Sequence, residues 1–163
     1  MPLRLAILTI SDAGSRGERA DTSGDLIASW AGERGYILAE RALVSDDAGR
    51  IVSVLVEWAD ANRADVILTT GGTGLTARDI TPEATRAVLD KEAPGIAEAL
   101  RMSAFPRFPR SALSRGLAGV RGRTLIVNLP GSTGGVRDGL TVLNDLVAHA
   151  VELVRGEKTG HSA

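Results

Sequence analysis

Two aspartates, Asp46 and Asp79, each follow an apolar run and precede a helix-start signal, and the second stands just beyond the stretch Gly71-Gly72-Thr73-Gly74. Carboxylates carried by separate loops are hard oxygen ligands of the kind Mg2+ accepts when water and substrate phosphate complete its shell. Gly71, Gly72 and Gly74 remove side chains where backbone must bend sharply or admit a ligand, so this loop can offer bare amide N–H groups to an anion. Arg78 and Asp79 then place opposite charges side by side. Thr81-Pro82-Glu83 supplies an N-cap, a proline at the first helical position and an acidic first turn. The combination suits a phosphorylated ligand handled with a metal ion.

Each of these residues also has a plainer reading. The glycine spacing is neither G-x-x-x-x-G-K-[ST] nor G-x-G-x-x-G, and GGTG alone is an ordinary strand-to-helix turn; the weight lies in the whole run from Leu68 to Thr85. For Asp46, capping and function weigh equally, because Ser45, Asp46 and Asp47 offer three caps to one helix. For Asp79 function leads, since Thr81 is the better cap. Ser11 and Asp12 end another apolar run, where Asp12 can close its own turn through an Asx bond while lying near the site. Pro130-Gly131-Ser132-Thr133 opens the last helix, whose N–H groups and dipole attract an anion and equally accept a cap. His149 falls in a helical pattern and His161 in a polar tail, and no G-x-S-x-G occurs, so triad hydrolysis is disfavoured.

The elements that must position these residues are legible in the hydrophobic pattern. Near-continuous aliphatic runs predict strands over Leu3 to Ile10, Tyr36 to Val44, Asp65 to Thr70 and Thr124 to Leu129. Between them, helical spacing places Leu26, Ile27, Trp30 and Ala31 on one face, and Ile51, Val52, Leu55, Val56 and Ala59 on another. Helices are expected over Pro82 to Leu89, Gly95 to Phe105 and Val136 to Val154, whereas Ala112 to Val120 is ambiguous. Strands alternating with helices predict a three-layer α/β/α domain with a mostly parallel central sheet. Ligands bind at the carboxyl ends of strands in such sheets, which gathers the loops at Ser11 to Asp25, Gly71 to Asp79 and Pro130 to Gly135. Ser45 to Asp47 joins them if the second strand is parallel. One domain over residues 1–156 is expected, with 157–163 a disordered tail.

Composition narrows the classes. A chain of 163 residues without cysteine forms no disulfide or thiolate metal site, and nothing at its N-terminus resembles a secretion signal, so a cytoplasmic protein is expected. No apolar run approaches the roughly 20 residues of a membrane helix. A net charge of -1 and only five aromatic residues argue against bulk nucleic-acid binding. Seven of the 19 basic residues, all arginines, fall between Ala99 and Arg137, where there is no Asp or Glu. That local positive charge could face an anion, although any single arginine is more simply a surface residue.

The chain resembles the Mog/MoaB family of molybdenum cofactor biosynthesis, which includes the G domain of gephyrin. The likeness rests on Ile10-Ser11-Asp12, Asp21-x-Ser23-Gly24, Thr70-Gly71-Gly72-Thr73-Gly74, Arg78-Asp79-x-Thr81-Pro82-Glu83-Ala84, Leu113-Ser114-Arg115 and Asn128-Leu129-Pro130-Gly131-Ser132. It implies a three-layer fold assembled as a trimer or hexamer, and adenylylation of molybdopterin by MgATP with release of pyrophosphate. On this resemblance Asp46 and Asp79 are the catalytic, magnesium-holding carboxylates. The phosphates and pterin then lie against Ser11, Asp12, Gly71, Gly72, Thr73, Gly74, Pro130, Gly131 and Ser132. A protein that inserts molybdenum is the implied downstream partner. The same family also contains MoaB-type members, which makes a molybdopterin-binding or assembly protein without turnover the principal alternative. A general nucleotide hydrolase has only the glycine loop in its favour.

Overall fold

The computed structural model describes residues 1–157, so the tail expected over 157–163 lies, beyond Glu157, outside the described residues. The Glu157 amide itself still donates to the Glu152 carbonyl, as part of the helix end formed by left-handed Gly156.

Six strands form one sheet in the order β2-β1-β3-β6-β5-β4. β1 (Arg4–Ile10), β2 (Ile37–Val44), β3 (Val66–Thr70) and β6 (Thr124–Leu129) pair in parallel, as expected from their apolar runs. β5 (Ala118–Arg121) runs antiparallel to β6, returning through Gly122 at φ 56, and the two-residue β4 (Lys91–Glu92) pairs antiparallel with β5. β5 falls at the end of the ambiguous stretch Ala112 to Val120, and with β4 it supplies an edge that periodicity does not reveal, because four and two residues are too few for a period to show.

Helices cover both faces. α2 (Thr22–Glu33), α5 (Pro94–Ala104) and α6 (Thr133–Arg155) pack Ile27, Trp30, Leu100, Leu140 and Leu143 against Leu5, Ile7, Leu68, Val127 and Leu129. On the other face α3 (Ala48–Asp60) and α4 (Thr81–Val88) bring Ile51, Leu55, Trp58, Ala84 and Val88 onto Leu8, Ile67 and Ile126. Alternate residues of each central strand thus enter opposite cores, which is why the parallel strands read as unbroken apolar runs. A one-turn helix, α1 (Asp12–Ser15), and a 3-10 turn at Pro109–Leu113 stand where loops were expected.

β1 leads through α2 to β2 on one side, and β2 crosses back through α3 to β3 on the other side of β1. The chain therefore reverses its winding between β1 and β3, and a crevice opens beyond their carboxyl ends. All four candidate loops meet there, since β2 is parallel to β1. No helix among the described residues is long and apolar enough to cross a membrane.

Candidate active site

The glycine loop begins at the end of β3 and is held by its carbonyls. Gly71 adopts φ +101, and a Cβ there would lie 2.2 Å from the Ile10 carbonyl oxygen of β1; Gly72 adopts φ +69, with a Cβ position 2.2 Å from Thr81 Oγ1. Neither position admits a side chain without displacement. Gly71 O accepts from Thr81 Oγ1 at 3.0 Å and Gly72 O from the Thr81 amide at 3.1 Å. Thr73 O accepts from the Arg115 amide and Gly74 O from Arg115 Nε, both at 2.8 Å. With four successive carbonyls turned into protein, the amides of Gly72, Thr73 and Gly74 donate to no other described residue. Consecutive free N–H groups of this kind form an anion-binding concavity.

Thr81 is consequently not the helix cap its sequence context suggests. It is the first residue of α4 and fully buried, its hydroxyl is used on Gly71, and Ile80 occupies the cap position without a side-chain bond. Pro82 moves to the second helical position. Holding the loop has displaced capping as the task of that hydroxyl.

The carboxylates flank the same loop. Asp47 caps α3 by accepting from the Arg50 amide at 2.9 Å, which leaves Asp46 for other work. Asp46 Oδ2 accepts from the Asp12 amide and Asp12 Oδ1 from the Asp46 amide, each at 3.0 Å, so the ends of β1 and β2 are tied reciprocally. Asp12 forms no Asx cap, for Ser11 Oγ caps α1 through the Gly14 amide. Its carboxylate instead receives Arg78 Nε at 2.9 Å and Nη2 at 2.8 Å. That bidentate pair lowers the Asp12 pKa to about 2. Asp46 shifts the other way: burial raises its pKa, the Asp12 amide opposes this, and the carboxylates of Asp12 and Asp79 reinforce it.

Asp79 Oδ2 accepts from the Thr76 amide and hydroxyl at 3.0 and 2.8 Å. It lies 2.8 Å from where a Cβ on Gly74 would stand, while Asp46 Oδ1 lies 3.1 Å from the corresponding point on Gly72. The Oδ1 atoms of Asp46 and Asp79 accept no hydrogen bond from described residues. One unengaged hard oxygen on each of two mutually repelling carboxylates fits a divalent cation, which would offset their repulsion. Among the described residues no group of three His, Cys, Asp or Glu side chains is placed to hold a metal. The donor set therefore matches an ion that retains water and phosphate ligands rather than one enclosed by protein.

The third loop closes the crevice. Thr70 Oγ1 and Ser23 Oγ donate at 2.7 Å to the carbonyls of Pro130 and Gly131, and Ser132 caps α6 by accepting from the Gly135 amide at 3.1 Å. Two cavities result. One of about 590 Å3 is lined by Ser11, Arg19, Asp21, Asp46 and Gly71; the other, of about 380 Å3, by Thr73, Gly74, Arg101, Phe108, Arg110 and Pro130. Gly72, Asp79, Gly131 and Ser132 line both, so the cavities adjoin along a single wall. Of the site residues expected from sequence, Asp12 alone lines neither, although it is bonded to Asp46.

The arginine cluster is divided among different tasks. Arg101, which also braces the Ser114 and Gly116 carbonyls, and Arg110 face the smaller cavity. Arg107 and Arg121 pair with Asp138 and Asp60, and Arg123 donates to the Arg155 carbonyl. Phe108, Asn128 and Ser23 also reach the site; Ser23 and Asn128 stand in the motifs quoted above, but none of the three is among the site residues expected from sequence.

A family model described as "Probable molybdopterin binding domain" matches residues 6–149. The chain belongs to that family. Within it, a molybdopterin adenylyltransferase of Helicobacter pylori is 36% identical over 158 residues, covering 94% of this chain and 89% of that protein. The molybdenum cofactor synthesis protein cinnamon of Drosophila melanogaster is 39% identical over 155 residues; the match covers 93% of this chain, which spans only 26% of that longer protein. The crystal structure of the molybdopterin biosynthesis enzyme MoaB from Thermus thermophilus superposes with a TM-score of 0.90 at 50% identity, covering 95% of this chain and 98% of that one. This member of the molybdopterin-binding family thus shares the family fold over nearly its whole length.

Proposed function

We propose that this chain is a molybdopterin adenylyltransferase, joining AMP from MgATP to the terminal phosphate of molybdopterin and releasing pyrophosphate. The supporting observation is the shared wall: two cavities meet along Gly72, Asp79, Gly131 and Ser132, beside free amides and two carboxylates. A bimolecular phosphoryl transfer needs two adjacent sites opening onto one anionic reaction point. In the reaction a phosphate oxygen of molybdopterin bonds to the α-phosphorus of ATP as the bond to the bridging oxygen breaks, and that electron pair leaves with pyrophosphate.

Much of the catalytic work assigned to the chain is positioning and electrostatics. The amides of Gly72, Thr73 and Gly74 hold phosphate oxygens, and Ser132 with Gly131 borders both reactants. Asp46 and Asp79 would hold Mg2+, whose charge, when bound, neutralises the crowded phosphates. Asp12 and Arg78 brace the Asp46 loop.

A second reading, a molybdopterin-binding or assembly protein, is supported by the family model, whose description names binding alone. Retention of two acidic groups beside a polyanion opposes it, because a pure binder gains from losing them. Purified protein mixed with molybdopterin and MgATP should yield adenylylated pterin and pyrophosphate in equal amounts. Binding of molybdopterin without either product would select the second reading, and pyrophosphate release without the pterin would indicate a nucleotide hydrolase. A homotrimer or hexamer, and transfer of product to a molybdenum-inserting protein, belong to the same proposal. Exposed Met102, Phe105 and Phe108 support assembly, which sedimentation can measure.

A further inference from the structure

Arg115 lines neither cavity, yet it makes an unusual set of bonds to the site. Its amide donates to Thr73 O at 2.8 Å, Nε to Gly74 O at 2.8 Å and Nη2 to Asp79 O at 2.7 Å, while Nη1 pairs with Glu83 in the first turn of α4. One planar guanidinium thereby bridges the two ends of the exposed loop 75–78, joining the last residue of the amide concavity to the residue whose carboxylate is assigned to the metal. Leu75 at the loop tip is 67% exposed, so no core packing replaces this tie. Inside the loop, Asp79 is held only by Thr76, through the Asp79 amide to Thr76 O at 3.1 Å and the carboxylate bonds from Thr76.

We infer that Arg115 is the positioning residue of this site, fixing the Asp79 carboxylate in register with the Gly72–Gly74 amides. This rests on the adenylyl-transfer reading and specifies what sets its geometry. The fork matters as well as the charge: a lysine offers one point charge and cannot present coplanar donors to the Gly74 and Asp79 carbonyls together. Misplacement of a reacting group by about 1 Å costs on the order of 10²-fold in rate.

The test compares Arg115→Ala and Arg115→Lys with Arg121→Ala, which also loses a guanidinium bonded to a carboxylate and a carbonyl, those of Asp60 and Val88, away from the crevice. Both Arg115 variants should lose on the order of 10²-fold in kcat, with faster hydrogen exchange at the Thr76 and Asp79 amides. Their thermal midpoints should fall no further than that of Arg121→Ala, and methylguanidinium should restore part of the activity of Arg115→Ala. Wild-type kcat per folded molecule, an equal loss in Arg121→Ala, or unchanged exchange across 72–80 would overturn the inference. If the wild-type chain makes no adenylylated pterin, the functional reading fails separately, and affinity for magnesium pyrophosphate then decides about Arg115. Weaker binding by Arg115→Ala than by wild type supports the role, and equal binding overturns it.

Discussion

Aspartates at the two ends of the sheet, buried Asp65 and half-buried Asp46, experience opposite fields. At the amino end, Asp65 is 4% exposed, and its carboxylate receives the Arg4 amide at 2.8 Å, Arg4 Nη2 at 3.0 Å and Arg155 Nη2. Burial alone would raise its pKa, but the Arg4 bonds and the Arg155 charge outweigh it and the pKa is lowered. At the carboxyl end, Asp46 is raised, first by partial burial and then by the carboxylates of Asp12 and Asp79. The same residue type thus secures the fold in one place and stores electrostatic tension in the other. A raised carboxylate in a crevice is a candidate functional group.

Removing Asp65 should break this contrast most severely. Asp65→Ala leaves two arginines around an emptied site and should cost about 3 to 5 kcal/mol of stability, read from the urea midpoint. Activity per folded molecule should be unchanged. Asp79→Ala, and separately Asp46→Ala, should lose on the order of 10²-fold in turnover, reflecting several kcal/mol of lost charge stabilisation, while still binding molybdopterin. Full activity in either variant would contradict the metal role. Gly71→Ala sits between the extremes: its Cβ meets the Ile10 carbonyl at φ +101, so about 1 to 3 kcal/mol of stability should be lost together with phosphate binding. A urea series would detect the first loss and calorimetry with ATP the second.

The smallest effect is in sign. Because Asp65 is lowered in the folded state, its stabilisation is complete above the unfolded value of about 3.9 and is lost as pH falls through the folded value. Asp46 is raised, so its ionisation opposes folding as pH climbs through its folded value, and acidification relieves that opposition. Asp46→Asn should therefore have a urea midpoint equal to or above wild type at neutral pH, and Asp65→Asn one well below it. The reverse order would remove the contrast.

Much of this architecture is legible in the amino-acid sequence. The parallel strands and their flanking helices follow from apolar runs and helical spacing, and the crevice follows from strands ending in polar loops. Asp46 and Asp79 could be paired because each stands between a strand and a helix. What escaped were assignments made by tertiary bonding: Thr81 holds Gly71 instead of capping α4, and Asp12 binds Arg78 and the Asp46 amide instead of closing its own turn. Arg115 stands in the Leu113-Ser114-Arg115 motif and among seven arginines, but neither gives it a task. Its task depends on a loop 36 residues away, a separation that no local pattern encodes.

One divalent ion shared by Asp46 and Asp79 beside the glycine loop is the feature on which the proposed chemistry depends. Crystals soaked with Mn2+ and a non-hydrolysable ATP analogue, measured at the manganese absorption edge, test it directly. The expected result is a single anomalous peak bonded to an oxygen of each aspartate and to nucleotide phosphate, and lost in Asp79→Ala. A peak held by phosphates alone, with neither carboxylate in its coordination shell, would contradict it.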